Sequence, residues 1–463
     1  GAAIVNAAVA LMGRVAVNLN YSVSSKVLKQ CIDKAKIKHV LTSRKVIDKL
    51  GLEIGSEVFF LEDLKTKLRL SDKLIGAALA YGCPAAILDR LLGLHKISLD
   101  ETQTIIFTSG STGEPKGVML SGHNINCNVA AMDKVVHLRR SDVILGILPF
   151  FHSFGYTVTL WGPLSLDIQA AYHFSPLDAR QVGKLAKERG ATILLSTPTF
   201  LRTYLKRCEV EDFEKMEVVV AGAEKLPISL CDAFEKKFGV RPIEGYGATE
   251  LSPLVSVNVP PSRSQTDEID WREGTVGRPI PSVAARVVDP ETGEPLPRNS
   301  TGMLQISGPN LMKGYLDEPT KTAEVIRDGW YVTGDIAFLD EEGFIHITGR
   351  ESRFSKIGGE MVPHVRIEEE IQNFLAAGNE EVELFAAVTA IPDERKGERL
   401  VVVHAELPKS PAEISAHLAA IGLPNLWIPS NDSYVQVAEM PILGSGKLDL
   451  KLLAKIAQDK LGE

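Results

Sequence analysis

Cysteine is scarce in this 463-residue chain. The five present, Cys31, Cys83, Cys127, Cys208 and Cys231, are scattered, odd in number and form no Cys-x-x-Cys pair. That argues against a disulfide framework or a cysteine metal centre and for reduced thiols in a cytoplasmic setting. No His/Cys cluster supports a transition metal, and no nearby Ser/His/Asp grouping supports a hydrolase. Excess positive charge is missing too: a net charge of −8 gives no general reason to expect nucleic acid as a partner. Long apolar runs are lacking. The opening stretch Gly1–Met12 has no basic leading region, and Arg14 interrupts it well short of the ~20 residues that span a bilayer. It predicts a buried helix leading into a strand around Val15–Leu19. Internal repeats and low-complexity segments are absent.

What is present is the composition of a soluble globular protein, 44% hydrophobic and 24% charged, too long for one ordinary core. Apolar β-like runs (Ile144–Leu148, Thr192–Leu195, Glu217–Val220, Pro242–Glu244) alternate with amphipathic stretches such as Ala179–Arg189 and Ser229–Phe238. The expected class is α/β with largely parallel strands. From Gly274 to Asp340 short runs (Ala284–Val288, Gly302–Ser307) are punctuated by turn signals, which predicts a small β subdomain. After Arg350 a new unit begins, with a helix around Ile367–Phe374, strands around Glu383–Ala390 and Leu400–Glu406, and a terminal helix from Leu450.

The chemistry is densest in Thr108-Ser109-Gly110-Ser111-Thr112-Gly113-Glu114-Pro115-Lys116-Gly117, which follows the strand-like Thr104–Phe107. Its glycines let backbone N–H groups wrap an anion, and its hydroxyls and lysine add donors and positive charge. Pro115 and Gly117 stand where the Gly-x4-Gly-Lys-Ser/Thr loop needs glycine and a hydroxyl, so this is not that loop. A polyphosphate binder is expected. Gly245-Tyr246-Gly247-Ala248-Thr249-Glu250, Tyr331-Val332-Thr333-Gly334-Asp335, Gly349-Arg350 and Gly444-Ser445-Gly446-Lys447 follow in order.

Together these motifs resemble those of the adenylate-forming superfamily of acyl-CoA synthetases, adenylation domains and luciferases. The resemblance covers nearly the whole chain. It implies a large ATP- and acyl-binding domain over 1–350 and a mobile C-terminal domain over 351–463. It also implies ATP and Mg2+ as cofactors. Two anions, a carboxylate and ATP, must meet, so the site has to supply positive charge and alignment. By resemblance, Thr108 to Gly113 with Lys116 hold the β- and γ-phosphates, Glu250 holds Mg2+, and Thr249 binds the α-phosphate. Gly245, Tyr246 and Gly247 with Gly222-Ala223-Glu224 flank adenine, while Asp335 and Arg350 contact ribose. Lys447 is the catalytic lysine, carried on the mobile domain. His152, Phe154 and Gly155, within Phe150–Gly155, line the acyl pocket. Ser352 takes the hinge position, where the family usually has Asp or Lys, and Gly358 and Gly359 line a tunnel for the acceptor thiol. The phosphate loop comes unusually early for the family, which raises the expectation that the N-terminus is truncated.

Tyr156 to Leu166 contains no acid to hold an ammonium group, so the expected substrate is a fatty acid instead of an amino acid. The run Arg350–Met361 and Ser175–Ala179 most resemble the acyl-[acyl-carrier-protein] synthetase part of bifunctional acyltransferase/synthetase proteins. That implies the phosphopantetheine thiol of acyl carrier protein or coenzyme A as acceptor. A membrane-associated acyltransferase domain outside this chain, at the inner face of the membrane, is the further partner so implied. A long-chain acyl-CoA ligase, a non-catalytic nucleotide- or acyl-binding relative and a kinase-like enzyme remain as rivals. His95 and Asp100 match the His-x4-Asp signature of glycerolipid acyltransferases by two residues alone, as chance allows. Ser25–Leu50 holds eight lysines and arginines against two aspartates. A docking surface for an acidic carrier or anionic lipid is one reading; a solvated helix face accounts for the same residues.

Overall fold

The computed structural model of the chain describes residues 1–51, 54, 57–109, 114–264, 270–350, 353–358, 360–376, 386–393, 395–441 and 448–462. Contacts divide it into two compact units. Gly1–Ala285, Ile306–Val332 and Gly343–Ile345 form the first; Arg286–Gln305, Thr333–Glu342 and His346–Glu463 form the second.

The first unit is built on a seven-stranded sheet. In spatial order its strands are Arg278–Pro279, Leu254–Val257, Ile243–Gly247, Val218–Ala221, Ile193–Ser196, Val143–Gly146 and Gln169–Tyr172. The last five pair in parallel, and the first two are antiparallel additions. The expected α/β class is therefore observed, with mixed sheets. The central strands Val143–Gly146, Ile193–Ser196 and Val218–Ala221 are buried along their length and mostly apolar because both faces are covered. Ile144, Ile193, Leu195, Val218 and Val220 face a core shared with Ile125, Val129 and Met132 of helix Gly122–Val136. Their neighbours Val143, Leu145, Leu194 and Val219 face the opposite core, with Val182, Leu201, Tyr204 and Phe234. The period-2 alternation of the strands thus splits one apolar run between two layers. Helix Ala179–Arg189 forms over the predicted span, ended by Gly190 with a φ of 62°.

Several expectations are corrected. Helix Ala2–Leu11 forms, but of its residues only Asn6 is buried; Ile4 is 74% exposed, and the strand expected after it shrinks to one bridge, Ala16 to Thr104. The basic segment is not one helix. It folds as helix Ser25–Lys34, strand His39–Thr42 and helix Arg44–Leu50. The phosphate motif is a hairpin connection instead of a loop from a sheet edge. Strands Thr102–Ser109 and Pro115–Ser121 pair antiparallel, with Thr108 opposite Lys116 and Ser109 opposite Pro115. Lys116 and Gly117 therefore belong to a strand, where alternation fixes which way each side chain projects.

The second unit has its own core. Strands Ala386–Asp393, Gly397–His404 and Tyr434–Gln436 form a sheet. Val388, Leu400 and Val402 pack with Ile367 and Ile371 of helix His364–Ala376. Ala387, Val401 and Val403 pack with Leu453 and Ala457 of helix Leu450–Leu461. No helix among the described residues is long and apolar enough to cross a membrane.

Candidate active site

The two ends of the parallel sheet differ in chemistry. At the N-terminal ends, the residues preceding three strands are locked to one another. Fully buried Arg263 donates to both Asp142 carboxylate oxygens at 2.8 and 2.9 Å and to Glu217 at 2.8 Å. Thr192 donates to Asp142 at 2.8 Å. Burial pushes the Asp142 carboxyl up, but Arg263, the Arg139 N–H and the Thr192 hydroxyl outweigh it and hold it below the usual range. The C-terminal ends carry the motif residues, as open α/β sheets commonly arrange for ligands.

Glu250 and Thr249 lie in a short turn between Ile243–Gly247 and Leu254–Val257. Buried amides hold that turn. Asn310 donates to the carbonyls of Leu251 (2.9 Å) and Leu254 (3.0 Å), Asn128 donates to Leu254 at 2.8 Å, and Ser252 donates to Asn310 at 2.8 Å. Backbone carbonyls buried without such partners would cost free energy, so these amides are part of the site's scaffold. The hydroxyls of Thr249 and Ser153 are 3.2 Å apart, which ties the Glu250 turn to the Phe150–Gly155 segment.

Tyr315 was not singled out in the sequence. Its hydroxyl donates to Glu250 Oε1 at 2.8 Å, and Lys116 Nζ lies 5.1 Å from the centre of its ring. Burial, reinforced by the Glu250 charge, raises its pKa and keeps the hydroxyl protonated as a donor. The short strand Gly314–Tyr315 pairs with Met119 and Val118, beyond the phosphate motif. The only sequence signal was a Gly-Tyr dipeptide, too common to single out.

Lys34, from the basic segment, also turns inward. Its ammonium donates to the Pro115 carbonyl at 3.0 Å and pairs with Glu318, which Lys321 holds at 2.6 Å. At least this lysine is a structural tie at the foot of the phosphate hairpin.

Phe154 and Gly222 meet: a Cβ on Gly222 would stand 3.3 Å from the Phe154 ring and 3.4 Å from the Gly245 carbonyl. Ala223 follows at a φ of 69°, and Glu224 accepts from the Thr199 hydroxyl at 2.8 Å. Tyr246 is half-buried on its strand. His152 is exposed, and its Nδ1 accepts from the Phe154 N–H at 3.3 Å. Beyond Gly155 the apolar stretch is core, with Tyr156 and Leu160 fully buried against the Gly122–Val136 layer. Packing therefore accounts for its apolar character. A Cβ on Gly155 would lie 2.3 Å from the Pro149 carbonyl oxygen and 2.7 Å from that of Leu148. Gly155→Ala is expected to destabilise the first unit by roughly 1–3 kcal/mol through forced backbone movement. Chemical denaturation with unchanged midpoint would contradict that crowding.

In the second unit, Asp335 and Arg350 come together: the Arg350 Nε donates to Asp335 Oδ1 at 2.8 Å. Thr333-Gly334-Asp335 lies within strand Trp330–Leu339, with Gly334 at a φ of 73°. Gly358 has a φ of 59° in the connection between paired strands Phe354–Ile357 and Glu360–Pro363, so its conformation alone favours glycine. Gly110, Ser111, Thr112, Gly113, Ser352, Gly359 and Lys447 lie outside the described residues.

A metal ion held between a carboxylate and substrate phosphates needs only one or two protein oxygens. Glu250 fits that demand. No cluster of three or more His, Cys, Asp or Glu suited to a metal occurs among the described residues.

Comparison with known proteins is consistent across sequence and structure. The protein-family model described as AMP-binding enzyme matches residues 2–316. A long-chain-fatty-acid–CoA ligase of Bacillus subtilis is 31% identical over 315 residues, 66% of this chain and 53% of that protein. Another, from Thermus thermophilus, is 34% identical over 361 residues, 74% of this chain and 63% of that protein. The chain thus spans between half and two-thirds of the length of these two relatives. ATP-bound MatB of Rhodopseudomonas palustris superposes with a TM-score of 0.80 at 28% identity, covering 100% of this chain and 87% of that one.

Proposed function

We propose, from the premise that this chain belongs to the AMP-binding enzyme family, that it is an AMP-forming acid–thiol ligase. In the first step a carboxylate oxygen attacks the α-phosphorus of ATP and pyrophosphate leaves. In the second, a phosphopantetheine sulfur attacks the acyl carbon, its proton is lost and AMP leaves. The observation that carries this reading is the constellation of Lys116, Tyr315, Glu250, Thr249 and Ser153. It sets a cation, a carboxylate and three hydroxyls beside the phosphate hairpin. Bound Mg2+ would offset phosphate charge there, with Glu250 as its protein ligand. Lys116 and the 108–113 segment would hold the β- and γ-phosphates, and Thr249 the α-phosphate.

Gly222, Ala223 and Glu224 with Gly245, Tyr246 and Gly247 would border adenine, and Phe154, packed beside Gly222, would line the acyl pocket next to it. Asp335, oriented by Arg350, would accept from the ribose hydroxyls. His152 would stand at the entrance to the acyl site. A fatty acid is the proposed substrate, supported by the names of the two ligases above and by the lack of an acid in Tyr156–Leu166. The same names favour coenzyme A as the thiol. The likeness of Arg350–Met361 to acyl-carrier-protein synthetases favours a carrier.

Incubation with ATP, Mg2+ and a series of fatty acids is expected to release AMP and pyrophosphate in equal amounts. Release of ADP and phosphate would reject the reading in favour of phosphoryl transfer. Thioester yield with coenzyme A and with holo-acyl-carrier protein, measured side by side, decides the acceptor.

A further inference from the structure

We propose that Tyr315 is a positioning residue that couples the phosphate hairpin to the metal-binding carboxylate, by holding Glu250 through its hydroxyl and Lys116 against its ring. The inference rests on the reading of Glu250 and Lys116 given above, and it assigns a task to a residue outside every motif. The geometry is specific. A carboxylate has two oxygens, and the Tyr315 hydroxyl takes Oε1 at 2.8 Å, which restrains where Oε2 is presented. The ring face meets the Lys116 ammonium 5.1 Å from its centre, within cation–π range. Lys116 is thereby held toward the ring of a residue that also contacts the acid.

Tyr315 is itself braced. Its side chain is 4% exposed in the main core. Its N–H donates to the Thr322 hydroxyl at 2.9 Å, which donates onward to the Glu318 carbonyl at 2.9 Å. The Glu318 side chain pairs with Lys34, whose ammonium also reaches the Pro115 carbonyl at 3.0 Å. The brace closes on the phosphate hairpin at two adjacent residues, Pro115 and Lys116. A shift of Glu250 relative to the hairpin would therefore break contacts at both ends. Fixed spacing of this kind matters where one metal ion must meet a carboxylate and a phosphate chain together.

The test uses Tyr315→Phe, which keeps the ring and drops only the hydroxyl, beside Tyr315→Leu, which drops both. Calorimetry measures ATP binding with Mg2+ and with EDTA, and acyl-AMP formation is followed across a Mg2+ titration. Losing a hydrogen bond to a charged acceptor predicts that Tyr315→Phe needs about tenfold more Mg2+ for half-maximal adenylation. Saturating Mg2+ should restore its rate. The Mg2+-dependent gain in ATP affinity should shrink to the same degree, while ATP binding in EDTA stays at the wild-type level. Tyr315→Leu should in addition weaken ATP binding in EDTA, because Lys116 loses its support. Thr322→Val, on the brace and away from both charged groups, should give a smaller shift of the same sign and stands in if Tyr315→Phe fails to fold. A variant that is merely loosened would lose activity at every Mg2+ concentration. Wild-type Mg2+ dependence in Tyr315→Phe, or wild-type ATP binding that ignores Mg2+, overturns the inference. Failure of the wild type to form acyl-AMP overturns the functional reading instead, and the binding arms still decide the role of Tyr315.

Discussion

Lys447→Ala is expected to slow acyl-adenylate formation by about 10²–10³-fold while leaving thioester formation from synthetic acyl-adenylate near the wild-type rate. The reason is electrostatic. Positive charge is needed while a carboxylate and a polyphosphate approach, and it is not needed once the mixed anhydride has formed. Lys447 ends a Gly-Ser-Gly-Lys sequence that lies outside the described residues; the described residues on either side of it are tied together. The Asp449 N–H donates to the Pro441 carbonyl at 2.8 Å, and helix Leu450–Leu461 then packs into the core of the second unit. Single-turnover kinetics separate the two steps; equal damage to both would assign Lys447 some other task.

Arg263→Ala is expected to cost about 3–5 kcal/mol of stability, the usual result of stripping one partner from a buried ion pair. Arg263 has no side-chain exposure, and Asp142 has 2%. Removing the guanidinium leaves a carboxylate buried behind the N-terminal ends of three strands, with only Thr192 and the Arg139 N–H to satisfy it. The pH dependence gives an independent signature. The folded-state pKa of Asp142 is depressed, so its contribution is present above the unfolded value of about 3.9 and is lost as pH falls through the folded value. The wild-type advantage over Arg263→Ala should therefore hold near neutral pH and shrink on the acid side. Urea titrations at neutral pH and near pH 3 check both statements. An advantage that grows with acid would show that Asp142 is not the group responsible.

The contrast between these variants marks what could be read from the chain and what could not. Lys447 can be singled out in the sequence because it sits in a short motif, Gly-Ser-Gly-Lys. The same is true of Thr249 with Glu250 and of the 108–117 segment. Strand positions such as Ile193–Ser196 and Val218–Ala221 were legible because burial on both faces leaves a continuous apolar run, and helix Ala179–Arg189 because its period and terminal glycine are local.

Tertiary structure alone decided Arg263 with Asp142, Asn310 with the Glu250 turn, and Lys34 with Pro115. It alone decided Tyr315 between Lys116 and Glu250. It also turned Lys116 from a loop residue into a strand residue. In each case the partners are far apart in the chain, and a hydrogen bond or ion pair between them leaves no periodicity or spacing for one sequence to display. By itself the sequence determined which chemical groups and which apolar runs are present. The pairing of the strands determined which of those groups meet, because only the folded backbone fixes the few-ångström distances on which their interactions depend.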